Sequence, residues 1–106
     1  MKIITLCGSL RFQKYMMRAA EEMALLGNCI LTPIYPTYET TERTEKQLEM
    51  LKEEHFKKIE LSDAILVINV DDYIGYSTNL EIEYAKKLNK KILYYTDLIK
   101  NKIIKI

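Results

Sequence analysis

Apolar residues along this chain fall into runs that alternate between two rhythms. "KIITLC" (2–7) is short, continuous and β-branched, and it stops at Gly8, which is the pattern of a buried strand. In "RFQKYMMRAAEEMALLG" (11–27), Phe12, Tyr15, Met16, Ala19, Ala20, Met23 and Leu26 recur at helical spacing, and Gly27 supplies a C-terminal stop. "NCILTP" (28–33) reads as a second strand closed by Pro33. "IYPTYETTERT" (34–44) has no clean period and predicts a loop longer than most connections in compact domains. Residues 45–62 return to helical spacing, with Leu48, Leu51, His55 or Phe56, and Ile59 on one side. "DAILVINV" (63–70) is the strongest strand, an unbroken apolar run suited to cover on both faces. A loop at 71–77 leads into a helix at 78–89, and "KKILYYT" (90–96) forms a fourth strand. The tail "DLIKNKIIKI" fits either a short helix or an edge strand.

Strict alternation of strand and helix predicts an α/β fold: a small flavodoxin-like or Rossmann-like three-layer sandwich. Its parallel sheet has four to five strands, in the order 2-1-3-4. The strands at 2–7 and 63–70 are then neighbours whose helices leave on opposite faces. A crevice opens between their carboxyl ends, the usual ligand position in such sheets. Its walls are "CGSLRF" and "NVDDYIGYST". The chain of 106 residues reads as one domain, 1–106.

Composition narrows the function classes. The formal net charge of +1 gives no electrostatic reason for a nucleic-acid polymer as partner. No apolar run reaches the roughly 18 residues of a membrane span. "MKIITLCG" is too short for the core of a signal peptide, so a cytoplasmic location with no membrane partner is expected. One His and two Cys show no ligand spacing, so neither a metal nor another cofactor is expected. Cys7 and Cys29 both read as buried free thiols.

Several residues could carry chemistry. Gly8 and Ser9 lie between strand and helix, where the backbone can approach a ligand and free N–H groups can meet an anion. Arg11 is poorly placed for the helix dipole unless a phosphate sits above it. Glu81 falls in the first turn of the helix expected at 78–89. Thr78-Asn79-Leu80-Glu81 fits a capping box, yet the same carboxylate could instead open onto the crevice and act as a nucleophile. Glu83 points away from it and pairs with Lys87 on a solvated face. His55, the single histidine, is either a structural core residue or a group that binds a sugar hydroxyl or moves a proton. Asp71 and Asp72 either hold a hydroxyl or solvate the loop. Tyr35, Tyr38, Tyr73 and Tyr76 are loop aromatics near the crevice, available for stacking on a base or for packing.

"CGSLRF", "SDAILVIN" and "YIGYSTNLEIEYA" resemble the nucleoside 2-deoxyribosyltransferase-like proteins, a group that includes the 2'-deoxynucleoside 5'-phosphate N-hydrolases. The resemblance runs from residue 2 to about 96 and is densest at 5–11 and 63–85. It implies that Glu81 is the nucleophile on the anomeric carbon; His55, if it faces the crevice, is expected to join it in catalysis. It also implies that Gly8, Ser9 and Arg11 line the sugar-phosphate end; Leu10, Asp72, Tyr76, Ser77 and Thr78 are the further residues expected to bind substrate. "CGSLR" is closer to the branch that accepts nucleoside 5'-monophosphates.

Two positions depart from the family pattern. His55 stands where relatives carry Asp, and Gly75 stands where the phosphohydrolases carry Ser; Ser77 or Thr78 could take over that phosphate contact. The implied function is cleavage or transfer at the N-glycosidic bond of a (deoxy)nucleoside 5'-monophosphate, without a cofactor. A nucleotide-binding or sensing module without turnover is the alternative. The implied partners are a small nucleoside or nucleotide and further copies of the chain, as a homodimer or larger homo-oligomer.

Overall fold

The computed structural model describes residues 1–37 and 42–105. Tyr38 and the middle of the loop expected at 34–44 lie outside the described residues. Four strands, β1 (Ile3–Cys7), β2 (Cys29–Leu31), β3 (Ala64–Val67) and β4 (Lys91–Tyr94), form one parallel sheet. Its order is β2-β1-β3-β4, as the alternating pattern predicts. Thr5 aligns with Leu31 on one side and with Ile65 on the other. Each strand is shorter than the segment expected from sequence at 2–7, 28–33, 63–70 and 90–96.

Helices α1 (Gln13–Leu25) and α4 (Tyr95–Lys100) cover one face of the sheet; α2 (Glu45–Leu61) and α3 (Tyr76–Lys87) cover the other. The strand period of two divides the core accordingly. Ile4, Leu6, Leu66 and Ile68 pack with Met16, Ala19, Met23 and Leu98. Cys7, Ile65 and Val67 face Ile59, Ile82 and Ala85 on the opposite side. Both faces of β3 are therefore buried, which explains its unbroken apolar run. The ambiguous tail resolves as helix α4 followed by a turn, anchored by Ile104 in the core. Asn69, at the end of β3, fixes the start of α4: its Oδ1 accepts from Thr96 N at 3.2 Å, and its Nδ2 donates to Thr96 Oγ1 at 3.1 Å.

Helix α2 begins with a reciprocal cap. Gln47 N donates to Thr44 Oγ1 at 3.1 Å, and Thr44 N donates to Gln47 Oε1 at 2.9 Å. Its far end is tied to β2 by Lys58, which donates to Thr32 O at 2.8 Å and pairs with Glu54 at 2.7 Å.

Helix α3 departs from expectation in a way that matters for the site. It starts at Tyr76, with Gly75 as the capping residue and no side-chain cap. Thr78 is inside the helix and buried, so the capping box read from Thr78 to Glu81 does not form. Gly75 has extended backbone (φ −80°, ψ 176°), which lets the chain enter the helix before Thr78. Glu81 therefore lies in the second turn, past the amides that lack intrahelical acceptors.

Two smaller expectations also change. Cys7 is buried, but Cys29 is exposed, because β2 is an edge strand with little cover at its start. Glu83 is on the surface as expected, but it pairs with Lys86 at 3.5 Å, three residues on.

Candidate active-site cleft

A cleft of about 920 Å³ opens at the carboxyl end of the sheet, large enough for a nucleotide-sized ligand. One wall is Gly8, Ser9 and Leu10, following β1. A second is Gly75–Thr78 with Glu81, at the start of α3. A third comes from α2, including Leu48, Leu51, His55 and Phe56. The crevice between β1 and β3, the switch point of this topology, is thus the place where the sequence-predicted segments meet.

Gly8 has a specific steric reason. A Cβ there would come within 3.2 Å of Ile68 O and 3.3 Å of Ile68 Cβ. The same approach lets Ile68 N donate to Cys7 O at 2.8 Å. Glycine thus seals the β1–β3 seam directly beneath the cleft. Ser9 Oγ accepts from Arg11 N at 3.3 Å, holding the turn that follows.

At the cleft floor three elements converge. His55 Nε2 of α2 lies 3.5 Å from Glu81 Oε1 of α3 and 3.6 Å from Cys7 Sγ of β1. His55 and Cys7 are buried; the Glu81 side chain retains 18% exposure toward the cleft. Burial, and then the neighbouring Glu81 carboxylate, push the Cys7 thiol pKa well above its ordinary value. Cys7 is accordingly a thiol and not an activated nucleophile. Both acidic neighbours address the same ring nitrogen, whereas a nucleophile–His–acid relay uses the two nitrogens separately. His55 Nδ1 has no hydrogen-bond partner among the described residues.

Arg11 does not line the cleft. Its guanidinium sits 4.3 Å from the Tyr73 ring centroid, and Nη2 donates to Tyr73 Oη at 3.4 Å. Tyr73 itself faces the cleft and packs edge-on against Phe12 at 5.9 Å, so the ring stands between Arg11 and the cleft. Asp72 is exposed and also outside the cleft lining. Asp71 and Asp72 take left-handed backbone conformations (φ 53° and 61°), tolerated by short polar side chains, and turn the chain after β3. Tyr76 and Ser77 line the cleft and are exposed; Thr78 lines it but is buried. Tyr35 instead packs against the core.

Cys7 is the site residue that sequence reading missed. Its signal was the two-residue alternation that places Cys7 on the same face as Thr5, toward α2 and α3. Of the α2 wall only His55 was expected at the site; Leu48, Leu51 and Phe56 were not, because no local motif announces which helix closes a cleft.

No family model matches the sequence, and no curated protein matches it. Among solved structures, a 2-desoxiribosyltransferase from Leishmania mexicana superposes with a TM-score of 0.66 over 90% of this chain, at 19% sequence identity. The present chain spans 64% of that protein's length. The parallel β2-β1-β3-β4 sheet, its helices on both faces and this structural likeness together show that the chain shares the fold of that transferase.

Proposed function

We propose that this protein cleaves or transfers at the N-glycosidic bond of a (deoxy)nucleoside 5'-monophosphate, with Glu81 as nucleophile. The observation that carries this is the position of Glu81: freed from capping, half-sheltered, and facing the cleft beside a buried imidazole. A carboxylate so placed can attack the anomeric carbon as the bond to the base breaks, giving a glycosyl ester. The base leaves with a proton taken from solvent, and attack by water on the ester later returns one. Water, or a second base as acceptor, then opens the ester and restores Glu81. His55 Nε2 positions the attacking carboxylate.

The phosphate is assigned to the start of α3. Its first-turn amides lack intrahelical acceptors and Gly75 offers no side-chain cap, so the helix terminus favours an anion beside Ser77. Gly8, Ser9 and Leu10 form the facing wall. The Leishmania mexicana protein of the same fold is named a 2-desoxiribosyltransferase, which supports chemistry at a deoxyribosyl bond. Assembly with further copies of the chain, and a cytoplasmic location, belong to the same proposal; light scattering on the purified chain tests the first.

The direct test is release of free base from a panel of deoxynucleoside 5'-monophosphates. Glu81→Gln should abolish it while leaving the fold intact. Unchanged release by a folded Gln variant refutes the nucleophile. Nucleotide-induced thermal stabilisation without any released base would instead make the protein a binding or sensing module.

A further inference from the structure

The floor of the cleft gathers a thiol, an imidazole nitrogen and a carboxylate oxygen within 4.8 Å of one another, the only such trio of potential metal ligands among the described residues. We infer that Cys7, His55 and Glu81 form a site for a zinc-class divalent cation, and that the bound ion withdraws Glu81 from glycosyl chemistry. The second half of this inference rests on the function proposed above; the first does not.

The spacing fits. Tetrahedral zinc with ordinary bond lengths separates a sulfur and a nitrogen ligand by roughly 3.6 Å, and a nitrogen and an oxygen ligand by roughly 3.3 Å. The observed separations are 3.6 Å for Cys7 Sγ to His55 Nε2 and 3.5 Å for His55 Nε2 to Glu81 Oε1. The third separation, Cys7 Sγ to the Glu81 carboxylate, is within 4.8 Å, against roughly 3.6 Å for a sulfur and an oxygen bound to one zinc.

The convergence on one ring nitrogen points the same way. Without an ion, the Cys7 thiol and a proton on Nε2 can both donate to Glu81; a cation bound to Sγ, Nε2 and Oε1 would replace both donated protons with metal bonds. Nδ1 has no partner among the described residues, so it is free to take the ring proton when Nε2 gives up its contact with Glu81 to bind the ion. The ligand set of sulfur, nitrogen and oxygen suits zinc and disfavours magnesium or calcium, which take oxygen. Entry is from the cleft, which His55 and Glu81 line and Cys7 does not. As the sulfur–metal bond forms, the thiol proton passes to solvent. Three protein ligands leave a fourth position for water on the cleft side.

Cobalt(II) tests the site without reference to turnover. Titrated into the chelator-stripped full chain, it should give a thiolate-to-cobalt charge-transfer band and tetrahedral d–d bands, saturating at one ion per chain and displaced by zinc. Cys7→Ser should lose the charge-transfer band, and Cys29→Ser should keep it. Glu81→Gln should weaken zinc binding by at least the roughly 10–100-fold that loss of an outer-shell partner costs. No charge-transfer band with folded wild-type protein overturns the site. So does a band that survives in Cys7→Ser, or unchanged zinc affinity in Glu81→Gln, which keeps the inference testable should the Cys7 variant not fold. Saturating zinc should also suppress base release, with chelator restoring it; release that zinc leaves untouched overturns the inhibitory half. A cobalt spectrum from a protein that releases no base from any nucleotide leaves the cation site standing and removes the glycosyl function alone.

Discussion

The His55 imidazole and the Glu81 carboxylate meet at 3.5 Å although they stand on different helices, α2 and α3. The contact exists because both helices pack on the same sheet face over Cys7. His55→Ala should therefore lower kcat for base release by on the order of 10²-fold, with KM nearly unchanged, since the imidazole holds the attacking group and not the ground-state nucleotide. Steady-state kinetics on the folded variant separate the two parameters. An equal loss through KM alone would remove His55 from its positioning role.

Gly8 and Gly75 should respond differently to an added side chain. At Gly8 the new Cβ meets Ile68 backbone and Cβ at 3.2–3.3 Å, atoms fixed within the sheet. Gly8→Ala should cost about 1–3 kcal/mol as overpacking. At Gly75 the nearest atom is the Tyr73 hydroxyl at 3.3 Å, the end of a side chain that can shift. Gly75→Ser should change stability by only a few tenths of a kcal/mol, because serine caps a helix slightly better than glycine. Urea denaturation of both variants reads the difference directly.

The two thiols should be chemically distinct. Cys29 is exposed, whereas Cys7 is buried and its pKa is raised first by burial and then by Glu81. The sign follows from the direction: a raised pKa keeps the thiol protonated and unreactive at neutral pH. A bulky maleimide should add once per native, metal-free chain and twice after denaturation, as mass spectrometry shows. Peptide mapping should place the native adduct on Cys29.

Thr44→Ala removes one half of the cap that starts α2 and frees the Gln47 amide. The expected loss is about 1 kcal/mol, within the usual range for a capping residue. Because Arg43 and Glu45 border the cleft, nucleotide affinity measured by calorimetry should fall as well.

Sequence patterning was enough for the layers. The unbroken run in β3, the helical spacing of Met16, Ala19 and Met23, and the glycine after β1 each carry their own local signal. Burial on both faces demands an apolar run, and a helix face demands recurrence every three to four residues. The β1–β3 crevice followed from right-handed crossovers, and the segments at Gly8 and Glu81 do meet there.

Residue pairing at the site was not legible in this way. Thr78 to Glu81 carries the spacing of a capping box, and only the extended backbone at Gly75 and the burial of Thr78 show that the helix begins earlier. Arg11 carries a charge suited to phosphate, but the ring of Tyr73 holds it outside the cleft. By itself the sequence determined the alternation of strands and helices, because burial periodicity is a local property. The meeting of Cys7, His55 and Glu81 was decided by tertiary structure alone: they belong to β1, α2 and α3, and only packing on a shared sheet face brings such distant positions within a few ångströms.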